Sequence, residues 1–262
     1  MVNTGTSGKW ALILGGSSGL GLATAKKLAR HQFNLIIIHR DRKIDLEEIN
    51  KDFQEITLDE NQLHSFNIDA TNKQKTEEVL QEIVKLLGPD KIDVLVHSIA
   101  KGNLKTMLTS TNQLVNEDFQ LTINAMATSL YDWARSLVNL GLFAKDARIV
   151  SFTSEGSSKA WPGYAAVSAA KATLEAITRN IALEFAPLGV KANCIQAGTT
   201  DTKSFRMIPN SEILGKKALE RNPNNRLTKP EDVADVVYLL TLEEAKWITG
   251  TVIKVDGGES IQ

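Results

Sequence analysis

Seven short β-branched runs recur along the chain, separated by longer amphipathic stretches. The runs are WALIL (10–14), NLIIIH (34–39), QLHSF (62–66), IDVLVH (92–97), ARIVSFT (147–153), KANCI (191–195) and TVIKV (251–255). Most are apolar without alternation, the pattern of strands covered on both faces. Helical periodicity falls between them at 19–31, 71–87, 117–140, 164–186 and 231–242. Strands separated by helices pair in parallel through crossovers. The expectation is an α/β chain built on a doubly wound parallel sheet of about seven strands, in one domain over 1–262. One stretch, 201–228, breaks the rhythm and carries NPNN (222–225). It is expected to be a helical lid over the C-terminal edge of the sheet, where such folds bind ligands. A plain connecting helix pair is the alternative.

Composition excludes several function classes. Lys+Arg total 30 against Asp+Glu 31, so no overall field draws in nucleic acid or an anionic membrane. The longest apolar run, LIIIH, is too short to span a bilayer. The N-terminal residues MVNTGTSGKWALILGG lack a basic-then-apolar signal layout. The single cysteine, Cys194, allows no intrachain disulfide and no thiolate-rich metal site. A reducing cytoplasm is the expected location.

The segment LILGGSSGLGLATAKKLA joins the first strand to the first helix. Gly15, Gly19 and Gly21 give a G-x-x-x-G-x-G spacing, with Ser17, Ser18 and Leu20 between them. Glycine permits positive φ and close approach of a pyrophosphate to the backbone. The helix start then offers free N–H groups to the anion. At this place in the chain the pattern points to a dinucleotide, hence a Rossmann-type sheet. The second strand ends in His39 and Arg40 rather than an acid. A carboxylate there holds a ribose 2′-hydroxyl, whereas Arg40 can pair with a 2′-phosphate. This favours NADPH over NADH, against the alternative of a solvated Arg40–Arg42–Lys43 loop. Asp69, followed by Ala70, can accept from the adenine amine; capping of the helix near Thr71 is the rival role for this segment.

With GGSSGLG (15–21), INA (123–125), a Tyr164–Lys171 helix and VDGG (255–258), the chain resembles the short-chain dehydrogenase/reductase family from about residue 9 onward. The resemblance implies a nicotinamide cofactor and catalytic Tyr164, Lys171, Ser154 and Asn124. It places Ser98, Ile99 and Ala100 beside the nicotinamide ribose, with His97 structural. It also places Ala197, Gly198 and Thr200 near the carboxamide and the Thr202 hydroxyl at the pyrophosphate. Most of the family spaces tyrosine and lysine as Y-x-x-x-K; here Ser168 stands at that lysine position and Lys171 lies seven residues on. Y-x6-K, VHSIA (96–100) and AG (197–198) are similar to the enoyl-acyl-carrier-protein reductases. With the three-glycine loop and Asn124, they resemble the NADPH-using third class.

At about 100° per residue, helix positions four and seven along both return near the starting face. Lys171 can therefore still serve Tyr164. Two roles are open for Ser154, contact with substrate or satisfaction of its turn. Two are open for Asn124, a proton relay at a helix kink or a core amide. Lys203, Arg206, Lys216, Lys217, Arg221 and Arg226 make the lid basic, suiting an acidic acyl carrier protein or merely a solvated face. Phe205, Met207, Ile208, Ile213 and Leu214 can line an acyl channel or pack the lid. The expected activity is NADPH-dependent reduction of trans-2-enoyl thioesters on acyl carrier protein or CoA, in fatty acid or polyketide synthesis. Its rivals are a carbonyl reductase acting on a 3-oxoacyl thioester or small ketone, and a non-catalytic dinucleotide-binding protein. The family resemblance implies a homotetramer or homodimer using helices 117–140 and 164–186.

Overall fold

The computed structural model describes residues 8–57 and 61–262; the reading of residues 1–7 as part of a segment without signal layout lies outside them. Strands β1 (Trp10–Leu14), β2 (Asn34–His39), β3 (Leu63–Asn67), β4 (Ile92–His97), β5 (Phe143–Ser154), β6 (Lys191–Ala197) and β7 (Val252–Val255) form one parallel sheet in the order β3-β2-β1-β4-β5-β6-β7. The chain winds outward from β1 to β3, then crosses back to place β4 on the other side of β1. That reversal opens a crevice at the carboxyl ends of β1 and β4, the ligand position of such sheets.

Both faces of β1 are dry, which explains its unalternating sequence. Trp10, Leu12 and Leu14 face a layer containing α3 (Lys73–Leu87), α5 (Ser129–Asn139) and α6 (Ala165–Glu184). Ala11 and Ile13 face α1 (Gly19–Arg30), α2 (Leu46–Ile56) and α9 (Pro230–Leu240). Helix α2 was not expected from the sequence. Ile49, Phe53 and Ile56 form its only buried stripe, and apart from Leu46 the rest of LEEINKDFQEI is polar.

Two further differences bear on the site. The single helix expected over 117–140 is divided into α4 (Asn116–Ile123), a π turn over Asn124–Thr128, and α5. Such turns widen a helix locally and often mark functional sites. The irregular segment after β6 is an insertion whose ends meet: Thr200 and Thr228 form a parallel bridge, and Thr228 N donates to Thr199 O at 3.1 Å. It contains α7 (Lys203–Arg206) and α8 (Ser211–Arg221). Its NPNN end is tied down, because the Asn222 and Asn224 amides donate to the carbonyls of Asp256 and Gly257 at 2.9 and 2.7 Å.

Candidate active site

The glycine loop turns between β1 and α1 with no room for a side chain at two points. Gly15 has φ +85°, and a Cβ there would stand 2.5 Å from Ser98 O. A Cβ on Gly21 would stand 2.1 Å from Gly15 O, so the start of α1 is pressed onto the loop. The N-cap Ser18 makes no side-chain cap bond. The first-turn N–H groups of α1 and the Ser18 hydroxyl are thus available to an anion. Thr202 stands over the loop, its Cγ2 3.3 Å from the Cβ position of Gly19. Its hydroxyl oxygen accepts from Phe205 N at 3.1 Å, which leaves the hydroxyl proton to donate.

A cleft of about 550 Å³ runs from this loop along the sheet edge. Gly15, Ser17, Ser18, Gly19, Leu20, His39, Arg40, Asp69, Ala70, Ser98, Ile99, Ala100, Lys171 and Thr202 all line it. The shape and the glycine cradle fit a dinucleotide. At one end, Arg40 Nη1 donates to Asp69 Oδ2 at 2.9 Å, and Lys101 Nζ donates to the same oxygen at 3.0 Å. The other Asp69 oxygen accepts from Thr71 N and Oγ1 at 3.0 and 2.6 Å. Burial opposes ionisation of Asp69, but the bonds from Thr71 and Lys101 outweigh it and hold its carboxyl well below the usual range. Asp69 does not cap the following helix; Asn72 does, accepting from Lys75 N at 3.1 Å. His39 is buried, with Nδ1 2.8 Å from Asp41 Oδ2. Lys101 and Asp41 also line the cleft, and neither is singled out by a motif.

At the other end, two side chains converge on the last residues of β5. Lys171 is buried, and its Nζ donates to Phe152 O at 2.7 Å. Burial lowers its pKa to about 8, against the opposing charges of Cys194 and Glu175. Two residues along β5 from Phe152 stands Ser154. Its Oγ is buried with no hydrogen-bond partner, so it does not satisfy the turn. It adjoins the Tyr164 phenol. Burial pushes that phenol's pKa up, and the nearby Ser154 hydroxyl only partly opposes the rise. The helix begins at Ala165, one residue later than expected, with Tyr164 as its N-cap. The ring of Tyr164 meets Trp161 edge-on at 5.1 Å.

Other expected site residues lie outside the cleft wall. Gly21 sits beneath Gly15 O. Asn124 is exposed and opens the π turn, its side-chain oxygen accepting from Thr128 Oγ1 at 3.2 Å; it is not a core amide. Gly198 N donates to Val255 O at 3.0 Å, next to Ala197 at the end of β6. Thr200 is buried in its bridge, with Oγ1 donating to Gly198 O at 2.9 Å. Ser154 follows cleft residue Thr153 at the end of β5, and Tyr164 adjoins Ser154. His97 is structural as expected. Ser129 Oγ donates to Ala125 O, so His97 Nε2–H donates to Ser129 Oγ, at 2.8 Å. Burial and then the charge of Lys171 push the imidazole pKa down to about 3, leaving it neutral.

The lid is less basic toward partners than its sequence suggests. Arg206 is paired with Asp201 and Arg226 with Asp232. Arg221 turns inward onto Glu155 and Glu259. Lys216 and Lys217 remain exposed. Among the described residues, no helix is long and apolar enough to cross a membrane, and no cluster of His, Cys, Asp or Glu is arranged to hold a metal ion.

A family model described as Enoyl-(Acyl carrier protein) reductase matches residues 15–260. A 3-oxoacyl-(acyl-carrier-protein) reductase of Thermotoga maritima is 28% identical over 252 residues, 96% of this chain and 97% of its own. A probable 2,4-dienoyl-CoA reductase of Bacillus subtilis is 27% identical over 256 residues, 96% of either chain. Among solved structures, an enoyl-(acyl-carrier-protein) reductase (NADH) from Aquifex aeolicus superposes with a TM-score of 0.84 at 26% identity, covering 97% of each chain.

Proposed function

From its membership of the short-chain dehydrogenase/reductase family, an oxidoreductase family whose fold binds a nicotinamide dinucleotide, we propose that this chain reduces the carbon–carbon double bond of trans-2-enoyl thioesters with NADPH. One observation carries the reading: the lysine of the tyrosine helix lies seven residues beyond Tyr164, with Ser168 at the fourth position. When bound, the cofactor supplies hydride. In a ketone, the oxygen that becomes negative is one bond from the carbon that is reduced. In an enoyl thioester, the new C–H bond forms at the β-carbon, and the charge appears on a carbonyl oxygen three bonds away. The group that stabilises this oxygen must therefore stand further from the hydride donor. Tyr164, at the N-cap of α6 and a full seven residues before Lys171, is the group this reading assigns to that oxygen.

The Tyr164 hydroxyl donates to the enolate oxygen, strongest when the charge is developed. The α-carbon then takes a proton from water. Lys171 orients the cofactor ribose and keeps the local potential positive. Arg40, Arg42, Lys101 and Lys203 line the cleft and outnumber its carboxylates Asp41 and Asp69, which favours a 2′-phosphate although Arg40 and Lys101 both pair with Asp69. Purified protein should oxidise NADPH in the presence of crotonyl thioester, and NADH more slowly. Oxidation with acetoacetyl thioester alone would make it a carbonyl reductase. That second reading draws on the unpartnered Ser154 hydroxyl and on the Thermotoga relative.

The carrier in this proposal is coenzyme A or an acidic acyl carrier protein, the latter meeting Lys216 and Lys217. Exposed Leu121, Tyr131 and Leu183 on α4, α5 and α6 would cover one another in a homo-oligomer. Operation in the cytoplasm in lipid synthesis completes the reading.

Lys171 gives this proposal a pH signature. Its ammonium loses its proton near pH 8, while the phenol of Tyr164, raised by burial, remains protonated there. The rate should fall as pH rises through about 8, and Lys171→Arg should move that fall upward because a guanidinium stays charged. The stability term has the opposite slope. The folded pKa lies below the ordinary 10.5, so the unfolded chain binds more protons between the two values. The contribution of Lys171 to stability therefore rises with pH across that window. Rate profiles and melting curves over pH 6–10 separate the two effects.

A further inference from the structure

Hydroxyl side chains within helices commonly donate to the carbonyl four residues earlier. Thr24, Thr122, Ser129, Ser136, Thr173 and Thr178 all do so in this chain. Ser168 reaches elsewhere: its Oγ donates across to Gly156 O at 2.5 Å, at the short limit for such a bond. Gly156 is buried in the 3₁₀ turn Glu155–Ser157, immediately beyond β5. Its Cα lies against the Tyr164 ring, since a Cβ there would stand 2.4 Å from Cε1 and 2.9 Å from Cδ1. The same Cβ would stand 3.1 Å from Trp161. The Tyr164 ring, Trp161 and the backbone of Gly156 therefore meet in one contact.

Helix α6 thus sends two side chains to two backbone carbonyls. Lys171 holds Phe152 O, and Ser168 holds Gly156 O. The two carbonyls flank Ser154 in sequence, and the Ser154 hydroxyl adjoins the Tyr164 phenol. We propose that Ser168 is a positioning residue for Tyr164: by fixing Gly156 it sets the wall against which the phenol ring rests and its distance from Ser154. The position that carries the lysine in Y-x-x-x-K relatives here places the tyrosine. This rests on the reading of Tyr164 as the donor to the substrate oxyanion.

Ser168→Ala should lower kcat for crotonyl thioester about tenfold, with the NADPH dissociation constant unchanged within a factor of two. Ser168→Thr, which keeps the hydroxyl, should restore most of the rate. Added to Tyr164→Phe, the alanine change should cost nothing further, because there is no longer a phenol to place. An equal loss in both backgrounds, or no loss in either, would overturn the role. A second readout needs no turnover. The chain has three tyrosines, so phenolate absorbance can be followed through an alkaline titration and Tyr164 assigned by difference against Tyr164→Phe. Ser168→Ala should lower the Tyr164 midpoint toward that of an open phenol; an unmoved midpoint would count against Ser168 even if no thioester proved to be a substrate. Should the alanine variant not fold, Ser168→Cys, with a weaker donor of similar size, takes its place in both measurements.

Discussion

Tyr164→Phe is expected to reduce kcat for enoyl thioester about 10²–10³-fold, the cost of removing one preorganised donor from a developing oxyanion. The ring would keep its edge-on contact with Trp161 and its contact with Gly156, so the fold and the cofactor cleft should survive the change. Only the hydroxyl is lost. That hydroxyl is protonated at neutral pH, since burial raises its pKa above the ordinary phenol value. A donor of this kind interacts more strongly with the enolate than with the ground-state carbonyl. The loss should therefore appear in kcat and in kcat/KM alike, with little change in KM. Steady-state kinetics alongside NADPH titration test this. A variant with undiminished kcat would place the phenol away from the reacting oxygen and remove the main support for the enoyl reading.

The parts of this architecture that local chemistry dictates could be read from the sequence. Strands β1, β2 and β4 have the expected bounds because each is buried on both faces and bounded by residues that stop it. The glycine loop was legible for a steric reason, since Gly21 and Gly15 leave no room for a Cβ. Helix α2 was hidden because only three of its residues enter the core. Pairings between distant segments were not legible. Arg40 reads as a free cation until Asp69, from the end of the neighbouring strand, is brought against it. The basic lid reads as a docking patch or a solvated face until Asp201, Asp232, Glu155 and Glu259 are brought against its arginines. Ser168 reads as a missing lysine until Gly156 is placed opposite. In each case the chemistry of the residue was visible and its partner was not, because partners separated by tens of residues are set by topology rather than by spacing.

Arg221 shows what such a pairing is worth, and Arg221→Met should lower thermal stability by about 5–10 °C. The guanidinium lies between two buried carboxylates. It donates to Glu155 Oε2 and to Glu259 Oε1, both at 2.9 Å. Glu259 in turn accepts from Thr199 N and Oγ1 at 2.8 Å, and Glu155 directly follows Ser154. Arg221 thereby joins the end of lid helix α8 to the turn beside the phenol and to the C-terminal turn. Removing one partner of a buried pair costs about 3–5 kcal/mol. Arg221 is 31% exposed, which reduces the figure to about 2–3 kcal/mol. Methionine would retain much of the packing but take the guanidinium from Glu259 and leave Glu155 to Lys159. Burial alone would push the Glu155 carboxyl up; Arg221 and Lys159 together hold it down. That contribution is present above the ordinary glutamate range and is lost as pH falls through the lowered value. The gap in melting temperature between wild type and Arg221→Met should thus be widest near neutrality and close in acid. Arg226→Met, which removes an exposed pair with Asp232, should show little of either effect. Equal melting temperatures for Arg221→Met and wild type at neutral pH would mean that the lid is held by its apolar contacts and not by this cation.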